Sequence, residues 1–411
     1  MTALKNMSGN IKLKNVVWVF TTYFAQGLPY SLIAAIPSIM FRDLGADLST
    51  IGFLSVLSIP WVLKFLWAPF IDSKSTLRNW LFNMELAIAF VLALLSFSLF
   101  YDSFSPIILC LACGALFSAT HDIAIDGFYM DSLDKGSQQK QIGFRVFAYR
   151  AALAFGSGII ITIGTAISWR CAYGAAALIM FVLYVFHRFF LPSAKEKKAQ
   201  DDDMKAPFKS AFISYFKREN MIYAVVFIVF LRAGEYMLGL MRGPFMVDMG
   251  IRVHIGWISG GIGIPSSIAG AVFGGFLISK TGVFKTAIPI ILFQNFTNFL
   301  YAAIAFSHTE ITDKGGIALI ATVNGIENFS SGMGTALLMI FLIKLCKDEY
   351  KAAHYAIGSG LMAISGVLLN TVGGVLAETT GYGWFFVISF FIALPAVFCV
   401  KGIEKGCSSL H

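Results

Sequence analysis

Twelve apolar runs, each close to the roughly 20 residues a helix needs to cross about 30 Å of hydrocarbon, follow one another along this chain, at about 16–40, 51–70, 80–100, 106–131, 140–167, 169–189, 220–241, 254–279, 286–306, 315–345, 351–377 and 382–400. Inside a bilayer no water is available to backbone amides and carbonyls, so each run must satisfy its own as a helix. The fold class that follows is an all-α membrane protein with twelve transmembrane helices. Composition excludes the soluble alternative: 57% of residues are apolar and only 13% charged, whereas a globular surface needs about a quarter of its residues charged.

Placement of the basic residues sets the expected orientation. Of the 31 Lys and Arg residues, 22 fall in the N-terminal tail, in alternate connections and in the C-terminal tail, while Arg42, Arg170, Arg252 and Lys314 fall on the other side. Both termini are therefore expected in the cytoplasm. The net charge of +8 would suggest nucleic acid in a soluble chain, but here it marks one membrane face. The stretch up to Lys14 has lysines without a short apolar core and cleavage site, and reads as a cytoplasmic tail rather than a signal peptide. One connection is long: 192–220 is polar and rich in charge, and divides an N-terminal six-helix bundle (1–191) from a C-terminal one (221–411) as a cytoplasmic linker. Cys110 and Cys113 form a CxxC, but no second ligand pair accompanies it and its flanks are lipid-like, so the cysteines read as small apolar side chains and no metal is expected.

Ionisable residues inside the runs carry the functional signal, because a charge at membrane depth is costly unless it is paired, neutralised or facing water. Asp122 and Asp126 are i,i+4 neighbours on one helix face. Lys64 lies about 13 residues into its run, near the midplane at about 1.5 Å per residue. Arg145 and Arg150 share the run that follows the one bearing Asp122. In the second half Arg232 and Glu235 are i,i+3, and Glu327 lies mid-helix beside Asn324 and Asn328; Gln294, Asn295 and Asn298 add amides, and Arg242 borders the membrane. Asp126 with Arg145 reads first as an ion pair pinning two helices, and Asp72, Lys74 and Asp131 as a cytoplasmic latch. Asp122, Glu235 and Glu327 are too deep to snorkel to water, and read as carriers of protons or binders of polar solute. His121 reads as a hydrogen-bonding neighbour of Asp122, with a place in a proton relay as the alternative.

The two halves show a faint repeat at an offset of about 206. It relates Ala68-Pro-Phe-Ile-Asp-Ser-Lys74 to Gly274-Gly-Phe-Leu-Ile-Ser-Lys280, Asp122 to Glu327-Asn328, and Gln26-Gly27 to Arg232-Ala233. Two pseudo-symmetric six-helix bundles around a central cavity are the major facilitator architecture. Small-residue patches such as Gly156-Ser-Gly158, Gly332-Met-Gly334 and Gly358-Ser-Gly360 fit close helix packing. Gly260-Gly-Ile-Gly263 has no preceding strand and is no phosphate loop, and Gly27-Leu-Pro29 predicts a kink.

Several segments resemble the AmpG-type muropeptide permeases of the major facilitator superfamily: Phe24-Ala-Gln-Gly-Leu-Pro29, Ile51-Gly-Phe-Leu-Ser55 leading to Lys64-Phe-Leu-Trp-Ala-Pro69 and Asp72, Ser118-Ala-Thr-His-Asp-Ile123 with Asp126, and Glu327-Asn328 followed by Gly332-Met-Gly-Thr335. The resemblance runs through nearly all twelve runs. It implies a bacterial inner-membrane, proton-driven importer of anhydromuropeptides in peptidoglycan recycling, with Lys64, Asp122, Asp126, Glu235 and Glu327 in its polar constellation. The alternative within the same branch is a siderophore or acetyl-CoA-like transporter. Lys64, Arg150 and Arg232 are expected to attract substrate carboxylates, while Asp122, Glu235, Glu327 and Asn328 carry protons or bind amines and hydroxyls. The expected partners are a sugar-peptide-like solute, protons and the bilayer, with no nucleic acid; the chain is expected to act as a monomer without a cofactor. A membrane enzyme would need a nucleophile set or a HExxH motif, and the sequence offers neither.

Overall fold

The computed structural model describes residues 13–68, 70–71, 75–101, 103–192, 205–217, 221–307, 311–346 and 351–408, and among them the regular secondary structure is helical throughout. The first crossing is built in two pieces. α1 (Leu13–Tyr30) carries Pro29 in its last turn, where the ring removes a donor and crowds the carbonyl one turn back. The backbone widens into a π-helical turn over Ser31–Ala35 and resumes as α2 (Pro37–Asp43), with a bend of 41° across the break. The bend thus falls at Ile36, just before Pro37, several residues beyond the Gly27-Leu-Pro29 at which the sequence predicts a kink.

α3 (Leu48–Leu66) starts at Asp47, whose carboxylate accepts the Thr50 amide at 2.7 Å and so satisfies one of the orphan donors of a helix start. α4 (Leu77–Ser98), α5 (Phe104–Ser132), α6 (Lys135–Phe155) and α7 (Trp169–Phe190) follow. A π-helical turn over Gly156–Ile160 prolongs α6. The linker expected over 192–220 lies largely outside the described residues, and its described part includes a short helix, α8 (Lys205–Phe216). The second set comprises α9 (Met221–Asp248), α10 (Arg252–Thr281), α11 (Val283–Ser307), α12 (Lys314–Lys344), α13 (Lys351–Ile392) and α14 (Leu394–Ser408). The regular helix of α9 is interrupted at Leu231 and Arg232.

Ten helical stretches among the described residues are long and apolar enough to cross a membrane, and the bent α1–α2 pair makes an eleventh. One of the ten, His354–Glu404, has 51 residues. At about 1.5 Å per residue it would measure about 77 Å, more than two hydrocarbon thicknesses. Gly381, at φ +74°, breaks it into two crossings, a conformation that glycine reaches without a Cβ penalty. Twelve crossings result among the described residues.

Contacts divide the chain into two units, one holding the described parts of Met1–Ile36 and Leu63–Gln200, the other Pro37–Val62 and the described parts of Asp201–His411. In the first, α1 packs on α6, and α4 packs on both α5 and α7. Its core joins Trp18, Leu81, Phe82, Phe128 and Tyr129, with the Trp18 and Phe128 rings edge to face at 5.4 Å. In the second, α10 lies along α12, while α13 packs on α9, α11 and the N-terminal part of α3. Phe227, Met333, Leu337 and Phe341 form part of its core. Because lipid is as apolar as leucine, such helices associate by close van der Waals fit rather than by the hydrophobic effect. Gly52 of α3 and Gly374 of α13 show the closeness: a Cβ on Gly374 would stand 2.5 Å from the Gly52 Cα and 2.5 Å from the Leu48 carbonyl oxygen.

Ion pairs reinforce this second unit where α2 meets α9. Arg42 Nε donates to both Asp248 carboxylate oxygens at 2.7 and 2.9 Å, Tyr382 donates to Asp248 at 2.7 Å, and Arg252 pairs with Asp43 at 2.7 Å. Arg42 and Asp248 are 206 residues apart, the offset of the sequence repeat, so positions related by the repeat meet here as opposite charges. Glu378 closes the set by accepting the Leu48 amide at 2.6 Å.

Candidate functional site

In the first unit the polar residues of α3, α5 and α6 form two adjacent ion pairs on α5. Lys64 Nζ lies 3.2 Å from Asp122 Oδ2, with the lysine side chain a third exposed and the aspartate largely buried. Trp67 donates to the Thr120 hydroxyl at 3.2 Å, just beyond Lys64 in the chain. One turn further along α5, Asp126 Oδ1 accepts from Arg145 Nη2 at 2.8 Å and from the Tyr23 hydroxyl at 2.9 Å. The Arg145 guanidinium also lies over the Tyr23 and Tyr129 rings, 4.5 and 5.5 Å from their centroids, a cation–π arrangement. Asp126 is thus enclosed by a cation and a phenol, whereas Asp122 depends on one flexible ammonium. A lysine can swing on its four-carbon stem and expose its partner to another cation or to a proton, which a forked, ring-stacked arginine does less readily.

The second unit holds the counterpart. At the break in α9, Arg232 Nη2 pairs with Glu235 at 2.7 Å, both side chains being largely buried. Ser331 of α12 accepts from Arg232 at 3.3 Å and donates to Glu235 at 2.9 Å. Glu327 of α12 pairs with Arg242 of α9 and accepts the Asn328 amide at 2.8 Å. Asn328 also donates to the Asn324 carbonyl at 2.9 Å. Behind these lie the buried amides of Asn295 and Asn298, the latter donating to Ser389 at 2.7 Å. Within each unit, then, a carboxylate on a long helix is held by a cation from another helix. Such a carboxylate can exchange its counter-ion for a proton or a charged solute without leaving a bare buried charge.

Of the residues read from sequence, Lys64, Asp122, Asp126 and Arg145 come together in the first unit, and Arg232, Glu235, Glu327 and Asn328 in the second. Arg150 stands apart on α6, half-buried, and forms no ion pair with a described residue. Asp131 lies half-buried at the end of α5. Asp72 and Lys74 lie outside the described residues. Three participants were missed. Arg242, noted only as bordering the membrane, is the partner of Glu327. Glu85 of α4 and His187 of α7, both fully buried, lie with Nδ1 and Oε1 2.6 Å apart, and His121 stands 3.5 Å from the same oxygen. A glutamate near the start of a strongly apolar run was the available signal for Glu85.

The sequence profile described as Major Facilitator Superfamily matches residues 19–328, well over half of the chain. A Rickettsia felis protein named as a transporter, AmpG 4, is 25% identical, over 94% of this chain and 96% of its own length. The anhydromuropeptide permease of Escherichia coli K12 is 24% identical, over 91% of this chain and 76% of its own. Among solved structures, the nucleoside transporter NupG superposes with a TM-score of 0.70 at 15% identity, covering 96% of this chain and 99% of that one. The peptide transporter POT, in complex with sulfate, superposes with a TM-score of 0.72 at 12% identity, covering 96% and 95%. At these identities the structures speak for the fold alone.

Proposed function

Because the chain belongs to the Major Facilitator Superfamily, and is thus a multi-pass membrane transporter rather than an enzyme, we propose that it is a proton-coupled importer of a bulky sugar-peptide solute of the anhydromuropeptide class, in the inner membrane of a bacterium. The observation that carries this reading is the pair of buried acid–base sets, Lys64–Asp122 and the Arg232–Glu235 and Arg242–Glu327 group. A solute bearing both carboxylates and amines or hydroxyls matches them, its carboxylates drawn to Lys64, Arg150 and Arg232 and its polar groups to Asp122, Glu235, Glu327 and Asn328. Protonation of a carboxylate frees its cation for the substrate, which ties solute binding to proton binding. The name of the Escherichia coli relative supports the substrate class, and the excess of Lys and Arg on one side supports cytoplasmic termini. Bundles 1–191 and 221–411, joined through 192–220, would rock about the site, with Asp72, Lys74, Asp131 and Arg145 at the cytoplasmic latch.

A thermal-shift screen of the purified protein tests the substrate class, since a ligand that prefers the folded state raises the melting temperature. Anhydromuropeptides raise it on this reading, while ferric siderophores and acyl-CoA thioesters do not. A shift produced by a siderophore or a thioester alone contradicts it.

A further inference from the structure

The three residues that the ion pairs leave unused, Glu85, His121 and His187, come from α4, α5 and α7, and each is fully buried. Glu85 Oε1 lies 2.6 Å from His187 Nδ1 and 3.5 Å from His121 Nε2, and no described Lys or Arg forms an ion pair with it. α4 also carries Arg78, about two turns back from Glu85, and α7 carries Arg188, next to His187 in the chain. Arg78 donates to the Arg188 carbonyl at 3.3 Å, and both guanidinium groups lie over the Phe82 ring. On the α5 side the next charged groups are Asp122, adjacent to His121 in the chain, then its partner Lys64 and, one turn on, Asp126.

Counting charge fixes how many protons such a cluster holds. A carboxylate with two neutral imidazoles leaves one uncompensated negative charge in a dry interior, and two imidazolium groups leave one positive charge. Only the state with a single added proton is neutral, and isolated buried charges are strongly disfavoured. The contact of 2.6 Å between His187 and Glu85 is at the short end for a bond between an imidazolium and a carboxylate. Four further buried atoms, Glu85 Oε2, His187 Nε2 and both His121 ring nitrogens, make no hydrogen bond to a described residue. A purely structural polar cluster is normally satisfied throughout, whereas a second imidazole left open beside the same carboxylate oxygen is a second seat for the proton.

We propose that Glu85, His187 and His121 form a buried proton-binding site that holds one proton, seated on the Glu85–His187 pair, and exchanges it through His121 and Asp122 with the Lys64 side of the unit. The proton leaves His187 as His121 accepts it across the shared carboxylate oxygen, and the Asp122 carboxylate takes it when Lys64 is displaced; no bond other than N–H and O–H forms or breaks. Use of this reservoir in transport rests on the proton-coupled reading above, but its existence can be measured without any substrate.

The measurement is nitrogen-15 magnetic resonance of the full chain, labelled at its 6 histidines and at glutamate carboxyl carbons, in lipid nanodiscs at about neutral pH. The expected spectrum contains one imidazolium whose Nδ1 is dipolar-coupled to a glutamate carboxylate. That signal disappears in His187→Gln and becomes a neutral imidazole in Glu85→Gln. In Asp122→Asn it persists, but its N–H exchanges with deuterium at least tenfold more slowly. A wild-type spectrum without an imidazolium coupled to a glutamate overturns the site, with no need for any variant to fold. Unchanged exchange in Asp122→Asn overturns the exit route. Because no solute is added, failure of the importer reading would leave this result untouched, and the reverse also holds.

Discussion

Replacing Arg242 by Met is the perturbation that most directly weighs the acid–base sets. Glu327 is 2% exposed, and among the described residues Arg242 is its one cationic partner in contact, the other donor being the Asn328 amide at 2.8 Å. Removing one member of a buried pair typically costs about 3–5 kcal/mol, because the remaining charge is left uncompensated. The Asn328 bond to a charged acceptor, typically about 1.5–3 kcal/mol, survives and holds the loss toward the lower end, so about 3 kcal/mol is expected. Arg242→Met together with Glu327→Gln removes both charges and keeps the Asn328 contact. That double variant should unfold within about 1 kcal/mol of the wild type, since neutral replacement of a buried pair is often tolerated. The asymmetry between single and double variants is the signature, read by equilibrium unfolding in mixed micelles as a double-mutant cycle. Additive losses, or a single variant as stable as wild type, would refute the reasoning that Arg242 is there to neutralise Glu327.

Further outcomes follow from the same geometry. Asp122→Asn keeps its volume and leaves Lys64, a third exposed, able to reach water; it should melt within a few degrees of wild type yet lose concentrative uptake in proteoliposomes at least tenfold, and full uptake would remove Asp122 from the mechanism. Gly374→Ala brings a methyl to 2.5 Å from the Gly52 Cα, so the helices must separate, at about 1–3 kcal/mol for overpacking, measurable by the same unfolding assay; no loss would mean that α3 and α13 do not cross this closely. Asp47 lies outside the spans, and hydrogen bonds from the Thr50 side chain and amide hold its carboxyl below the usual range. Its stabilising effect is therefore present above the ordinary value of about 3.9 and fades as pH falls through the lowered one. Asp47→Ala should remove that acid-side slope from the stability–pH curve, and an unchanged slope would contradict the cap.

Hydropathy made the crossings legible, and Gly381 marks one of the breaks, because it acts through local backbone geometry. That Lys64 and Asp122 lie inside long apolar helices was also legible, since their positions in the apolar runs can be counted directly. Their pairing at 3.2 Å was not, because it depends on how α3 and α5 rotate against each other. The same limit hid the partnership of Arg242 with Glu327, separated by 85 residues, and of Glu85 with His187, separated by 102. A periodic pattern shows which face of a helix is polar but not which distant helix meets it. Arg232 was read as i,i+3 to Glu235 and as a group that attracts substrate carboxylates; it is tied to Glu235 and Ser331, so on the importer reading protonation of Glu235 must precede its use. Asp126 was read as a pinning ion pair, and the enclosure by Arg145 and Tyr23 gives that reading a physical form.

On the importer reading, solute entry is driven by protons moving through these buried carboxylates. Its most direct test is uptake of a radiolabelled anhydromuropeptide into proteoliposomes with the outside acidified, followed with an internal pH dye. Accumulation above the external concentration, internal acidification in step with it, and loss of both when an ionophore collapses the gradient are expected. Uptake that proceeds to the same level with the gradient collapsed would contradict it.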